Sequence, residues 1–95
     1  MSGLFIARVD VSDPEKYGQY QELVMEAIGK YGGEFLTRGG AVTTMEGPEE
    51  DRRVVVVRFD SADRAREFYN SPEYQAAYQK RIGAADFNAI VVEGA

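Results

Sequence analysis

The segment Arg38-Gly39-Gly40 sets a guanidinium fork beside glycine amides. That combination suits a carboxylate or an enolate oxygen. A second cluster is FYNSPEYQAAYQKR at 68–81, where Tyr69 and Tyr74 bracket a Ser-Pro break and Arg81 follows seven residues after Tyr74. Tyrosine hydroxyls can donate to a bound ligand, and a Tyr–Arg pair can stabilise a developing oxyanion. Asp10 and Glu46 come at or near strand ends, and either is a candidate general base if a dry pocket holds it. Each residue also has a plain structural use. Arg38 can pair with Glu46 or Asp10 across a sheet, and a carboxylate so paired is a poor base at neutral pH. Aromatics at helical spacing are ordinary core residues with polar tips. Arg81 can reach a cleft or complement a helix C-terminus. Ser12, Ser61 and Ser71 all stand at helix starts, so capping accounts for them.

The composition narrows the chemistry. The 95 residues contain no histidine and no cysteine. This removes the commonest general base, the usual zinc and haem ligands, and every Ser-His-Asp or Cys-His nucleophile. Disulfides are excluded with them. No D-x-D-x-D-G loop points to an oxygen-only metal site, so neither metal nor cofactor is expected. A formal net charge of −5 argues against a nucleic-acid backbone or an anionic membrane as the main partner. The apolar runs are too short to span a bilayer. MSGLFIARVDV has no basic n-region or signal-like stretch, and a cytoplasmic location is the expectation.

The elements that must position these groups can be read from periodicity. LFIARVDV (4–11) alternates, with Phe5, Ala7, Val9 and Val11 on an apolar face. A helix follows, started either by Ser12 with Glu15 or by Asp13 with Pro14. Tyr17, Tyr20, Val24, Ala27, Ile28 and Tyr31 recur along it at helical spacing, and Gly32-Gly33 ends it. EFLTRGGAVTTME (34–46) reads as a second extended stretch. Gly39-Gly40 interrupts it with a bulge or a close approach to the backbone. RVVVVRFD (53–60) is the strongest strand, and its four valines suggest cover on both faces. A short helix over 61–70 turns Ala62, Ala65, Phe68 and Tyr69 inward. Ser71-Pro72 restarts a further one with Tyr74, Ala77, Tyr78 and Ile82 on one side. DFNAIVVE (86–93) is the last strand.

The order is β-α-β-β-α-β in one domain, 1–95. ARVDVSD (7–13) is echoed by VRFDSAD (57–63). This is the repeat of a split-βαβ, ferredoxin-like α+β fold, with an antiparallel sheet and helices on one face. Its first and third strands are expected as parallel neighbours at the sheet centre. The other face would carry Ile6, Arg8, Asp10, Val54, Val56, Arg58, Ile90 and Val92. So mixed a surface calls for a second copy, sheet against sheet, with its charges paired.

IARVDVSDP, YGGEFLTRGG, MEG, FYNSPEYQ and IVVEG, in this order and spacing, resemble the DUF1330 family over essentially the whole chain. The resemblance implies a dimeric α/β-barrel of the ferredoxin-like group and a homodimer. It implies no activity, although the same barrel group includes cofactor-independent monooxygenases and isomerases. Arg58 and Asp60 depart from the acid and proline usual there, and Leu4 from the common aromatic. Two functions fit the residues. One is a cofactor-independent enzyme acting on a small organic acid or carbonyl compound. Arg38 and Gly39 would hold the anion, Tyr69, Tyr74 and Arg81 would edge the cleft, and Asp10 or Glu46 would move a proton. The other is a non-catalytic dimer that binds a metabolite or a protein.

Overall fold

The computed structural model describes residues 1–95. Strand β1 (Gly3–Val11) leads into helix α1 (Pro14–Lys30) and strand β2 (Glu34–Arg38). Then come β3 (Arg53–Phe59), α2 (Ala62–Tyr69), α3 (Pro72–Arg81) and β4 (Ala85–Glu93). The sheet order is β2-β3-β1-β4, and every pairing is antiparallel. The expected parallel pairing of β1 with β3 is therefore corrected. The two are central neighbours, but Gly3 faces Phe59 and Val9 faces Arg53. Topology gives the reason. β3 runs antiparallel to its sequence neighbour β2, and the α1 crossover brings β2 back parallel to β1, so β3 must oppose β1.

The helices cover one face. Phe5, Ala7, Val9, Val57 and Phe59 point into it and are buried. Phe68 from α2 is the hub, with its ring centroid 5.0 Å from both Phe59 and Tyr74 and 5.6 Å from Phe5. Asp13, not Ser12, caps α1, accepting from the Lys16 amide. Ser12 instead gives its amide to the Ala84 carbonyl, which ties the end of β1 to the α3–β4 turn. Ser61 and Ser71 cap α2 and α3 as their positions suggest. Ile82 is 47% exposed and not core. Helix α3 ends at Arg81 and Ile82 turns to extended angles (φ −59°, ψ 124°), so it leaves the helical phase while Arg81 keeps it.

Strand β2 is shorter than the sequence suggests. Its pairing with β3 shifts between Phe35 and Thr37, so the irregularity falls at Leu36 rather than at the glycines. Pairing stops at Arg38, and 39–52 is a loop. On the far side of the sheet Leu4, Ile6, Val54 and Val56 are half-buried, while Leu36 (53%), Ile90 (54%) and Val92 (41%) are exposed. Ile6 lies across from both Val56 and Ile90, which makes the stripe continuous. The Cα envelope is only 16 Å deep in its thinnest direction, as expected of two layers with one sheet face uncovered.

Candidate functional site

Between α1 and the sheet lies a cavity of about 350 Å³. Tyr17, Tyr20, Val24 and Ile28 supply its helical wall, and Phe5, Val55 and Val57 its floor. Phe35 and Phe87 line it from the two edge strands. Arg38 and Arg53 are its charged lining residues. Arg38 is exposed, donates to Met25 Sδ at 3.2 Å and lies 5.1 Å from the Phe35 ring centroid. Arg53 donates from Nη2 to the Arg38 carbonyl at 3.4 Å, while its Nε is buried without a partner. Neither guanidinium pairs with a carboxylate: the ion pairs of the chain are Arg8–Glu50, Lys30–Glu73, Arg52–Glu50, Arg64–Glu67 and Arg66–Asp63.

Gly39 explains how the two arginines come together. Its φ is +82°, and a Cβ there would stand 2.7 Å from Arg53 Cζ. The close approach to this backbone is thus made by the protein's own arginine. The Gly39 amide donates to the Val54 carbonyl at 3.0 Å, so it is not a free anion donor.

Behind the cavity runs a chain of polar tips. The Tyr20 and Tyr74 hydroxyls are 3.1 Å apart, and Arg81 Nη2 donates to the Tyr74 hydroxyl at 3.4 Å. Tyr74 has no exposed surface and Arg81 only 9%. The Arg81 guanidinium is boxed by rings, 3.8 Å from the Phe87 centroid, 4.5 Å from Tyr78 and 5.6 Å from Tyr20. Cation–π attraction offsets part of its desolvation. Burial raises the Tyr20 and Tyr74 phenols above the ordinary range. It raises Tyr17 too, against the opposing charge of Arg53. All three are donors at neutral pH, not bases.

The residues singled out from sequence fall in several places. Arg38 lines the cavity. Tyr74 and Arg81 stand behind Tyr20. Tyr69, its ring centroid 4.8 Å from Tyr74, lines a second hollow of about 500 Å³ beside β4, together with Arg66, Asn70, Arg81 and Asn88. Asp10 is exposed on the open face across from Asp86, and Glu46 is exposed in the 39–52 loop. Neither lines either hollow. Arg53 was not singled out, yet its signal was present. Arg53, Val55, Val57 and Phe59 share one phase of the strand, and that phase faces the helices.

No curated protein matches the chain in sequence. Among solved structures it is similar to a protein of unknown function from Rhodopseudomonas palustris, at 20% identity and TM-score 0.73 over 99% of this chain and 82% of that one. It is also similar to SnoaB, a cofactor-independent oxygenase from Streptomyces nogalater, at 12% identity and TM-score 0.68 over 99% and 93%. A dimeric protein of unknown function with a ferredoxin-like fold from Bacteroides fragilis matches at 15% identity and TM-score 0.65 over 98% and 96%. These likenesses show the ferredoxin-like fold. The DUF1330 model, a domain of unknown function, matches residues 2–95, and the chain belongs to that family.

Proposed function

We propose that the cavity under α1 binds a small organic acid with an apolar body, its carboxylate held by Arg38 and Arg53. The observation behind this is two guanidiniums without a carboxylate partner on a largely apolar cavity, whose other polar side chains are Gln21 and the tyrosines. An arginine whose Nε is buried without a partner, as in Arg53, beside a second unpaired guanidinium is a ready place for an anion. The chemistry on offer is donation, since the buried tyrosines can stabilise negative charge developing on an oxygen. This supports a small-molecule enzyme that works without a cofactor, a kind of activity that the similarly folded SnoaB carries out. The non-catalytic alternative rests on the absence of Asp10 and Glu46 from the lining.

The open face is proposed as the homodimer interface, as dimeric relatives of the same fold suggest. The exposed surface of 5966 Å² exceeds the roughly 5,500 Å² expected of a compact monomer of this mass. Stacking two sheets with strands reversed would set the Arg58 end of one stripe against the Asp10 and Asp86 end of the other.

The test is calorimetric titration with benzoate and with benzamide. Binding of benzoate that weakens about tenfold in Arg53→Met, with benzamide binding poorly to wild type, is the expected result. Equal binding of the acid and the amide would overturn the anion site. Incubation of bound acids followed by NMR separates turnover from binding: a new product signal favours the enzyme, and unchanged spectra favour the binding domain.

A further inference from the structure

Arg81 is a cation buried among rings with no carboxylate within reach. Its one hydrogen bond goes to Tyr74, and Tyr74 meets Tyr20. A guanidinium only donates, so the Tyr74 oxygen must accept. Tyr74 has no exposed surface, and its hydroxyl has no hydrogen-bond partner in the protein other than Arg81 and Tyr20. Its proton can be satisfied only by going to the Tyr20 oxygen. The reverse orientation would leave a buried O–H orphaned. Tyr20 accepts in turn, and its own proton has no other protein partner. Tyr20 lines the cavity.

We infer that Arg81 is a positioning residue: it sets Tyr74 and Tyr20 into a one-way donor relay, so that Tyr20 offers its proton to a carbonyl or enolate oxygen of the ligand. The inference rests on the acid-binding reading above and adds a second requirement to it. The ligand carries an acid group for Arg38 and Arg53 and, on the other side of its apolar body, a hydrogen-bond acceptor. A keto acid or an acyl-substituted aromatic acid has this form. The positive charge at the end of the relay polarises both hydroxyls and strengthens the last donor.

The experiment uses 4-acetylbenzoate and its near-isostere 4-isopropylbenzoate, which differ in the acceptor alone. Both are titrated into wild type, Tyr20→Phe, Arg81→Met and Arg81→Lys, and the infrared carbonyl stretch of the bound ketone is recorded. Wild type should prefer the ketone about tenfold and shift its stretch to lower frequency. Tyr20→Phe should abolish both effects. Arg81→Met should cut the preference to about threefold and shrink the shift, with binding of 4-isopropylbenzoate unchanged, and Arg81→Lys should restore them. If Arg81→Met does not fold, Tyr74→Phe cuts the same relay and should shrink the shift equally. Binding of both acids with equal affinity, or a shift indifferent to Arg81 and Tyr74, would overturn the relay and leave the acid site standing. Failure of both acids to bind wild type would remove the acid site and the relay together.

Discussion

The two faces of this sheet solve opposite problems with similar residues. The covered face is apolar and closed, yet it holds Arg53, Arg81 and three tyrosine hydroxyls without one carboxylate near them. The open face is apolar and bare, and its charges come in both signs, with Arg8, Asp10, Arg58 and Asp86 around the stripe. Charges of both signs around an apolar centre can be matched by a second copy of the same surface. Cations alone call for an anion that the covered face does not itself supply. On the proposed reading, electrostatic composition rather than hydrophobicity is what would separate assembly from ligand binding.

That contrast can be broken at several points. Phe68→Ala, at the hub of the covered face, should cost about 3–5 kcal/mol in chemical unfolding at fixed protein concentration. A smaller loss would mean that the face is loosely packed. Val56→Asp should leave the covered face intact but put an unpaired charge in each copy's interface. The expected cost is about 3 kcal/mol or more to the dimer, read as a monomer in sedimentation. A surviving dimer would place the interface elsewhere. Gly39→Ala should destabilise by about 1–2 kcal/mol, because φ of +82° disfavours a side chain and Arg53 fills the space. It should also weaken acid binding by moving Arg53.

The phenols give a pH test. Tyr20 holds its proton in the folded state well above the value at which the unfolded chain releases it. Stability is therefore unaffected below about pH 10 and falls as pH rises beyond it, by up to about 1.4 kcal/mol per unit. Tyr20→Phe should make that decline shallower in denaturation curves recorded from about pH 9 to about pH 11, leaving the part due to Tyr17 and Tyr74. The smallest effect is expected at Arg81. With no carboxylate to orphan, Arg81→Met should stay within about 1 kcal/mol of wild type. A loss of about 3–5 kcal/mol would show that the guanidinium holds the fold and is not kept for a ligand.

Much of the architecture was readable because it depends on local rules. Alternation placed Phe5, Ala7 and Val9, and serine and proline punctuation placed the breaks before α2 and α3. What failed depended on partners distant in sequence. The direction of β3 against β1 follows from the whole crossover, and no stretch of either strand encodes it. Propensity alone extends β2 into AVTTME, but a strand needs a neighbour, and β3 is exhausted at Arg53, opposite Val9 of β1. Arg81 and Ile82 exchanged roles because hydropathy ranks isoleucine as core, whereas the phase of α3 puts the arginine inside. The candidate site was legible only in part. Arg38 and its glycine stood out as a motif, while Arg53 belongs to no motif and joins the site only through the helix-facing phase of β3 and the close approach to Gly39.

The sheet order also governs how the protein can be made. Strand β1 is central, and its two neighbours are β3 and β4. On the ribosome, residues 3–11 emerge early and find no strand to pair with until 53–59 have followed, and they remain an open edge until 85–93 appear. An apolar strand waiting that long is exposed to pairing with other chains. Folding is then governed by the closing of long loops rather than by local helix formation. Helix α1, with its own caps, can form early and shelter β1 meanwhile, so slow synthesis through the 39–52 loop should favour aggregation more than slow synthesis through α3.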